Sequence, residues 1–273
     1  MKILFFGDVV GRSGREGLEQ HLPSLKAKYT PDVIIVNAEN SASGSGITMK
    51  IAEELFALGV TCLTSGNHVW GQRELLTSID REPRIIRPLN YPEGTPGRGS
   101  YVCALSQGRK LLVVNLMARL YMEPVLDDPF AAMEKIVATN KVSGNLQIFV
   151  DMHGEATSEK MAMAHMFDGR VSAVIGTHTH IPTADEQILP KGTAYMTDAG
   201  MCGDYDSIVG IKKEAAIWRF TRKTPPIEKK SPADGPATVC GALVTTNDVS
   251  GLAISIDPIR VGGKLRPSES KSL

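Results

Sequence analysis

Carboxylate, carboxamide and imidazole side chains recur in this chain directly after short aliphatic runs. Ile3 to Phe6 is followed by Gly7-Asp8, Val33 to Val36 by Asn37-Ala38-Glu39-Asn40, and Thr61 to Thr64 by a turn containing Gly66-Asn67-His68. Ile148 to Val150 leads into Asp151-Met152-His153-Gly154, and Val171 to Ile175 into Gly176-Thr177-His178-Thr179-His180. Oxygen and nitrogen donors of these types suit iron, manganese, zinc or magnesium, and no thiolate accompanies them. Taken singly, each has an ordinary explanation. Asp8 or Asn67 can form a turn or cap a helix, and a lone buried histidine is usually satisfied by a backbone carbonyl. Glu39 resists that treatment: it follows a run of aliphatics, and a buried carboxylate costs several kcal/mol unless it is paired or bound to a metal. His178 and His180 stand two apart, so an extended segment would point both the same way, as two ligands on one wall. The combination points to a metal site.

For such distant residues to meet, the runs that precede them must share one end of a sheet system. Apolar runs alternate with segments of helical period, including a further run at Leu111 to Val114, and this predicts βαβ units around a largely buried sheet. Helices are expected over about Arg12 to Lys28, over Met49 to Leu58 with Gly59 as a C-terminal cap, from Asp127-Asp128-Pro129 onward, and over Thr157 to Met166. If the strands are parallel, their carboxyl ends open on the crevice where α/β proteins build their sites. Asn90 to Ser100, rich in proline and glycine, reads as a surface loop that could border the site. Thr224 to Pro236 reads as a mobile excursion, and Val239 to Thr245 with Leu252 to Val261 as a terminal hairpin. The expectation is one domain over 1–263 and a disordered tail over 264–273. His21 and His165 fall within helices and read as structural or surface residues.

The rest of the composition narrows the function classes. With 273 residues the chain can bury a sizeable core, 42% of it is hydrophobic, and 30 basic side chains balance 30 acidic ones. A protein held to nucleic acid through phosphates would need a basic face, so no extended nucleic-acid surface is expected. Cys62, Cys103, Cys202 and Cys240 are scattered without a disulfide or zinc spacing, which suits a reducing compartment. No apolar run approaches the ~18 residues of a membrane span, and the reading is a cytoplasmic chain without a membrane partner.

Gly66-Asn67-His68 and Gly176-Thr177-His178-Thr179-His180 resemble the GNH and GHxH elements of the calcineurin-like metallophosphoesterases. The opening Gly7-Asp8-Val9-Val10-Gly11-Arg12, together with Asn37-Ala38-Glu39-Asn40, resembles the YmdB-like branch, and the likeness extends to Thr197-Asp198-Ala199-Gly200-Met201 and Asp206-Ser207. Two departures from the wider superfamily stand out. Asp8-Val9-Val10 replaces its D-x-H, and Glu39-Asn40 replaces its bridging Asp, as in the YmdB-like branch.

The resemblance implies a metallophosphoesterase-type α/β sandwich of two mainly parallel or mixed β-sheets flanked by helices, with the metal site at the C-terminal ends of the strands. It implies two metal ions bridged by Glu39, iron first with manganese, zinc or magnesium as alternatives. Asp8, His180 and Asn40 would hold one, and Asn67, His153 and His178 the other. Two such cations neutralise a phosphodiester and lower the pKa of a bridging water, whose hydroxide attacks in line, and His68 would be the general acid for the leaving alkoxide. The family suggests 2',3'-cyclic nucleotides as substrates and self-association as a dimer or tetramer. Arg12, Arg119 and the turn at Gly200 are candidate phosphate contacts. Two other readings compete: a metal-binding regulatory or scaffold protein with incidental hydrolysis, and a phosphomonoesterase. A dinucleotide fold does not fit, because Gly11 to Gly17 spells G-x-x-G-x-x-G and Asp8 would face the pyrophosphate.

Overall fold

Ile3 and Phe5 alternate with Leu4 and Phe6 along the first strand, and all four are fully buried, so this strand has apolar neighbours on both faces. That pattern requires a layer on each side, and the computed structural model, which describes residues 1–222, 224–225 and 230–268, supplies them. Among the described residues the strands are β1 (Lys2–Phe6), β2 (Asp8–Val9), β3 (Val33–Asn37), β4 (Cys62–Thr64), β5 (Ser100–Ala104), β6 (Lys110–Met117), β7 (Leu146–His153), β8 (Ala173–Thr177), β9 (Gln187–Ile188), β10 (Ala194–Met196), β11 (Met201–Asp204), β12 (Ala237–Thr246) and β13 (Ala253–Gly262). The helices are α1 (Gly11–Tyr29), α2 (Met49–Ala57), α3 (Leu75–Ser78), α4 (Pro129–Thr139), α5 (Thr157–Met166) and α6 (Lys213–Arg222).

One sheet has seven strands in the order β2-β11-β12-β1-β3-β4, with β13 paired to β12; the other has six, β5-β6-β7-β8-β10-β9. Within them β1, β3 and β4 run parallel, as do β6, β7, β8 and β10, whereas β12 and β5 are antiparallel to their neighbours. The sheets face each other across a core that joins Ile3, Phe5 and Ile35 to Phe149 and Ile175, and the Phe5 and Phe149 rings lie 5.0 Å apart. The opposite faces are covered by helices. Leu4 and Phe6 pack with Leu18, Leu22 and Leu25 of α1, and Ile148 and Val150 with Met133 of α4 and Met163 of α5. No described helix is long and apolar enough to cross a membrane.

The expected strands and helices are present, with ends shifted by a few residues, and the terminal hairpin pairs in antiparallel register. β2, β5, α3, α6 and the short strands β9 to β11 are additional to the expected elements; the strands among them are too brief for alternation to show. Arg87 donates to the carbonyls of Thr95, Pro96 and Gly97 within the 90–100 loop, and Asn90 at its start exchanges two hydrogen bonds with Met117, the last residue of β6.

Two stretches of the C-terminal part make contacts with the body of the fold. In the 224–236 excursion, Ser231 accepts the Lys212 amide, Pro232 bridges to Ile211 and Ala233 is buried, so this part is pinned to the body; residues 226–229 lie outside the described residues. The tail does not leave the fold at 264. Thr238 Oγ1 accepts the Lys264 and Leu265 amides, and Ser268 pairs with Arg260, while 269–273 lie outside the described residues.

Candidate metal centre

The parallel strands deliver their carboxyl ends to one edge of the sandwich. Asp8 is placed there by β2, which pairs with Met201 and Cys202 of β11. The approach is close: a Cβ on Gly7 would lie 1.9 Å from the Gly200 carbonyl oxygen. Gly200 therefore has a backbone role here. At φ +82 it turns the chain, and its amide donates to Asp198 Oδ1 at 2.8 Å.

Glu39 follows β3, and its carboxylate is tied to the turn after β4: Glu39 Oε2 accepts the His68 amide at 3.1 Å. Glu39 Oε1 faces His153 Nε2, also at 3.1 Å. Two more groups meet the same nitrogen, Asn67 Oδ1 at 3.0 Å and His178 Nδ1 at 3.1 Å. An imidazole nitrogen has one hydrogen or one lone pair, so it satisfies one such neighbour and leaves the others facing it unpaired. Glu39, His153 and His178 place donor atoms within 4.8 Å of one another, as ligands of a common cation would.

A second group lies beside the first. Asp8 Oδ2 accepts the His178 amide at 3.0 Å, while Oδ1 is buried without a hydrogen bond and lies 3.9 Å from His180 Nε2. His180 Nδ1 contacts the Val209 carbonyl at 2.8 Å, which turns its Nε2 toward Asp8. Asn40 donates through Nδ2 to the Gly44 carbonyl, and its Oδ1 is a second buried acceptor without a partner. His68 is half-buried, with its Nδ1 3.5 Å from Ser45 Oγ.

Burial pushes the carboxyls of Asp8 and Glu39 up to about 7, and it pushes the imidazoles down, His153 to about 4 and His178 and His180 in the same direction. The site thus gathers neutral rings and carboxyls that lack a counter-charge. With two orphaned buried oxygens and only oxygen and nitrogen donors, it fits divalent cations.

The expected geometry of the two-apart histidines is corrected. His178 and His180 do not share an extended segment; both have left-handed backbones, at φ +99 and +66. The bend is imposed by buried acceptors, since Asp8 Oδ2 takes the His178 amide and Asp198 Oδ2 the Thr179 amide. Both rings still line a cleft of about 370 Å³ together with Glu39, Asn40 and His68. Arg12 and Arg119 do not line it. Arg12 pairs with Glu16 and Asp234 on the outer side of α1, and Arg119 is exposed after β6, its amide donating to Glu159. His21 and His165 lie on α1 and α5, outside the cleft.

A model of the family described as YmdB-like protein matches residues 4–259. The chain belongs to the YmdB-like family. This YmdB-like chain is 45% identical over 262 residues to the 2',3'-cyclic-nucleotide 2'-phosphodiesterase of Bacillus subtilis, covering 96% of this chain and 97% of that one. Its fold matches the crystal structure of a hypothetical protein from Thermus thermophilus with a TM-score of 0.89 at 39% identity, covering 97% and 100% of the two chains. It also matches the crystal structure of a phosphatase from Mycoplasma pneumoniae, again with a TM-score of 0.89, at 34% identity over 96% and 93%.

Several residues of this YmdB-like site were not singled out from sequence. Glu155 lies 3.3 Å from His178 Nε2, and Lys230, within the excursion, lines the cleft. Lys160 and Asp198 form a fully buried pair at 2.9 Å behind the 176–180 turn. Asp151 is buried beneath His153 and accepts three hydrogen bonds. The readable signal was a charged residue inside an apolar segment, as at Asp151 in the Ile148 run.

Proposed function

We propose that the cleft is a two-cation phosphodiesterase centre acting on small phosphodiesters, 2',3'-cyclic nucleotides foremost. The observation that carries this reading is the meeting of Glu39, Asn67 and His178 at His153 Nε2, with the unpaired Asp8 Oδ1 alongside. The activity named for the Bacillus subtilis relative supports the choice of substrate. In this reading Glu39 serves both cations, Asp8, His180 and Asn40 complete one position, and Asn67, His153 and His178 the other. Iron leads among the metals, with manganese, zinc or magnesium as substitutes.

Bound cations would offset the charge of the phosphodiester and acidify the attacking water. The chain's own residues do the rest. The His68 amide holds the Glu39 carboxylate in place, and the Val209 carbonyl holds His180 with Nε2 inward. The His68 ring, facing the cleft, gives a proton to the departing alkoxide. Lys230 is the cationic side chain, among the described residues lining the cleft, that can meet the substrate's phosphate. Self-association as a dimer or tetramer belongs to the same proposal and is read by light scattering on the eluting protein.

The direct test is hydrolysis of 2',3'-cyclic AMP and bis-p-nitrophenyl phosphate by metal-replete protein, against the monoester and a Glu39→Ala control. Diester turnover well above the control is expected. Turnover equal to the control, or a preference for the monoester, overturns the reading.

A further inference from the structure

Beneath the cleft lies an enclosed polar relay that the proposed chemistry does not use. Asp151 of β7 is fully buried. Its Oδ1 accepts the Thr177 hydroxyl at 2.6 Å, and its Oδ2 accepts the Thr64 hydroxyl at 2.5 Å and Asn37 Nδ2 at 3.0 Å. The orientation of the Asn37 amide is fixed by two other partners: Oδ1 accepts the Glu39 amide at 3.2 Å and Nδ2 donates to the Ser65 carbonyl at 3.4 Å. Asp151 is therefore an acceptor for donors from β3, β4 and β8 together.

The consequence falls on His153. With Asp151 ionised, the single hydroxyl proton of Thr177 is directed at Asp151, so only lone pairs of Thr177 Oγ1 face His153 Nδ1, 2.9 Å away. Nδ1 must then be the ring nitrogen that carries the hydrogen, and Nε2 keeps its lone pair for the space between Glu39, Asn67 and His178. The opposite tautomer has a pull of its own. Glu39 Oε1 and Asn67 Oδ1 stand at 3.1 and 3.0 Å from Nε2 and would accept a proton there, which would block the ring as a donor to a cation.

We propose that Asp151 and Thr177 are positioning residues that fix His153 as the Nδ1–H tautomer and thereby make Nε2 a metal donor. This rests on the cation reading of the cleft, but the tautomer can be read without any hydrolysis.

Asp151 ties strands of both sheets together, so its replacement risks the fold; Thr177→Val, which keeps the shape and deletes the hydroxyl, is the sharper variant. Thr177→Ser restores the hydroxyl. The measurements are ¹⁵N-histidine NMR of the metal-free full chain at about pH 8, where Asp151 is ionised, and zinc affinity by chelator competition at the same pH. Wild type and Thr177→Ser are expected to hold the His153 proton on Nδ1 and to bind zinc within about threefold of each other, and Thr177→Val to shift the proton toward Nε2 and bind zinc about 10- to 100-fold more weakly. A wild-type proton on Nε2, unchanged zinc affinity in Thr177→Val, or equal losses in the valine and serine variants would each overturn the proposal. Failure of the phosphodiesterase reading would look different: zinc-replete wild type that hydrolyses no diester.

Discussion

Gly66 leaves out a side chain where the His153 ring sits: a Cβ on Gly66 would stand 2.2 Å from His153 Cδ2 and 2.3 Å from Nε2. The turn after β4 is thus the seat of a ring from β7, and the two sheets register against each other at this contact. Gly66→Ala should displace the ring and weaken metal binding about 10- to 100-fold, as loss of ligand support commonly does. The overpacking should cost about 1–3 kcal/mol of stability. Chelator competition and thermal unfolding measure the two effects, and wild-type metal affinity in this variant would mean that the ring does not rest on Gly66.

Glu39 offers one oxygen to the His153 group and the other to the His68 amide; under the proposed reading it serves two cations, and its removal is then felt at both. Glu39→Ala is expected to lower the content of both metals in elemental analysis and to lower diester turnover with them. Full retention of one metal would assign Glu39 to a single position.

The pH response of metal-free protein follows from the buried carboxyls. Asp8, Glu39 and Asp151 are raised to about 7, so the folded chain holds protons there that the unfolded chain, titrating near its ordinary carboxylate range, has already released. Their contribution to stability is present at low pH and is lost as pH climbs through about 7, at roughly 1 kcal/mol per group per pH unit. The lowered histidines act oppositely, but mainly below their ordinary ~6.5. Chelated protein should therefore unfold at a lower temperature at about pH 8 than at about pH 6.5. Cations compete with those protons, so metal uptake should weaken as pH falls below about 7. A chelated protein that gains stability over this window would contradict the burial of these groups without counter-charge.

What the sequence made legible was what strand periodicity and donor chemistry carry. β1, β3 and β7 read as buried strands because their apolar residues have no polar alternation, and the donors at their ends stood out as polar residues closing apolar runs. Asp151 showed as a charge closing an apolar run but its partners Thr64 and Asn37 did not, and Lys160 was not legible, since its burial depends on the distant Asp198. The bend at His178 and His180 was hidden for the same reason, because two distant carboxylates, Asp8 and Asp198, draw its amides into left-handed geometry.

His68 shares the Gly-Asn-His turn with Asn67 but not its contact to the His153 group, so the two neighbours should separate experimentally. His68→Ala is expected to keep its metals and lose about 10²- to 10⁴-fold in diester turnover. A p-nitrophenolate leaving group needs little protonation, so the penalty should be smallest for bis-p-nitrophenyl phosphate and larger for an alkoxide-releasing cyclic nucleotide. Equal penalties would remove the acid role.

Substrate charge brings a different residue forward from those favoured by sequence. Arg12 is engaged with Glu16 and Asp234 outside the cleft, whereas Lys230 lines it beside the histidines. A single cation meeting one phosphate contributes about 1 kcal/mol in an exposed setting, so Lys230→Ala should raise KM for a cyclic nucleotide by roughly fivefold to tenfold with kcat nearly unchanged. The contact is screened by salt, so the ratio between variant and wild type should shrink as ionic strength rises. Arg12→Ala is the matched control and should leave KM as it is. If the arginine variant changes KM and the lysine variant does not, the phosphate approaches from the α1 side, and Lys230 is only part of the wall.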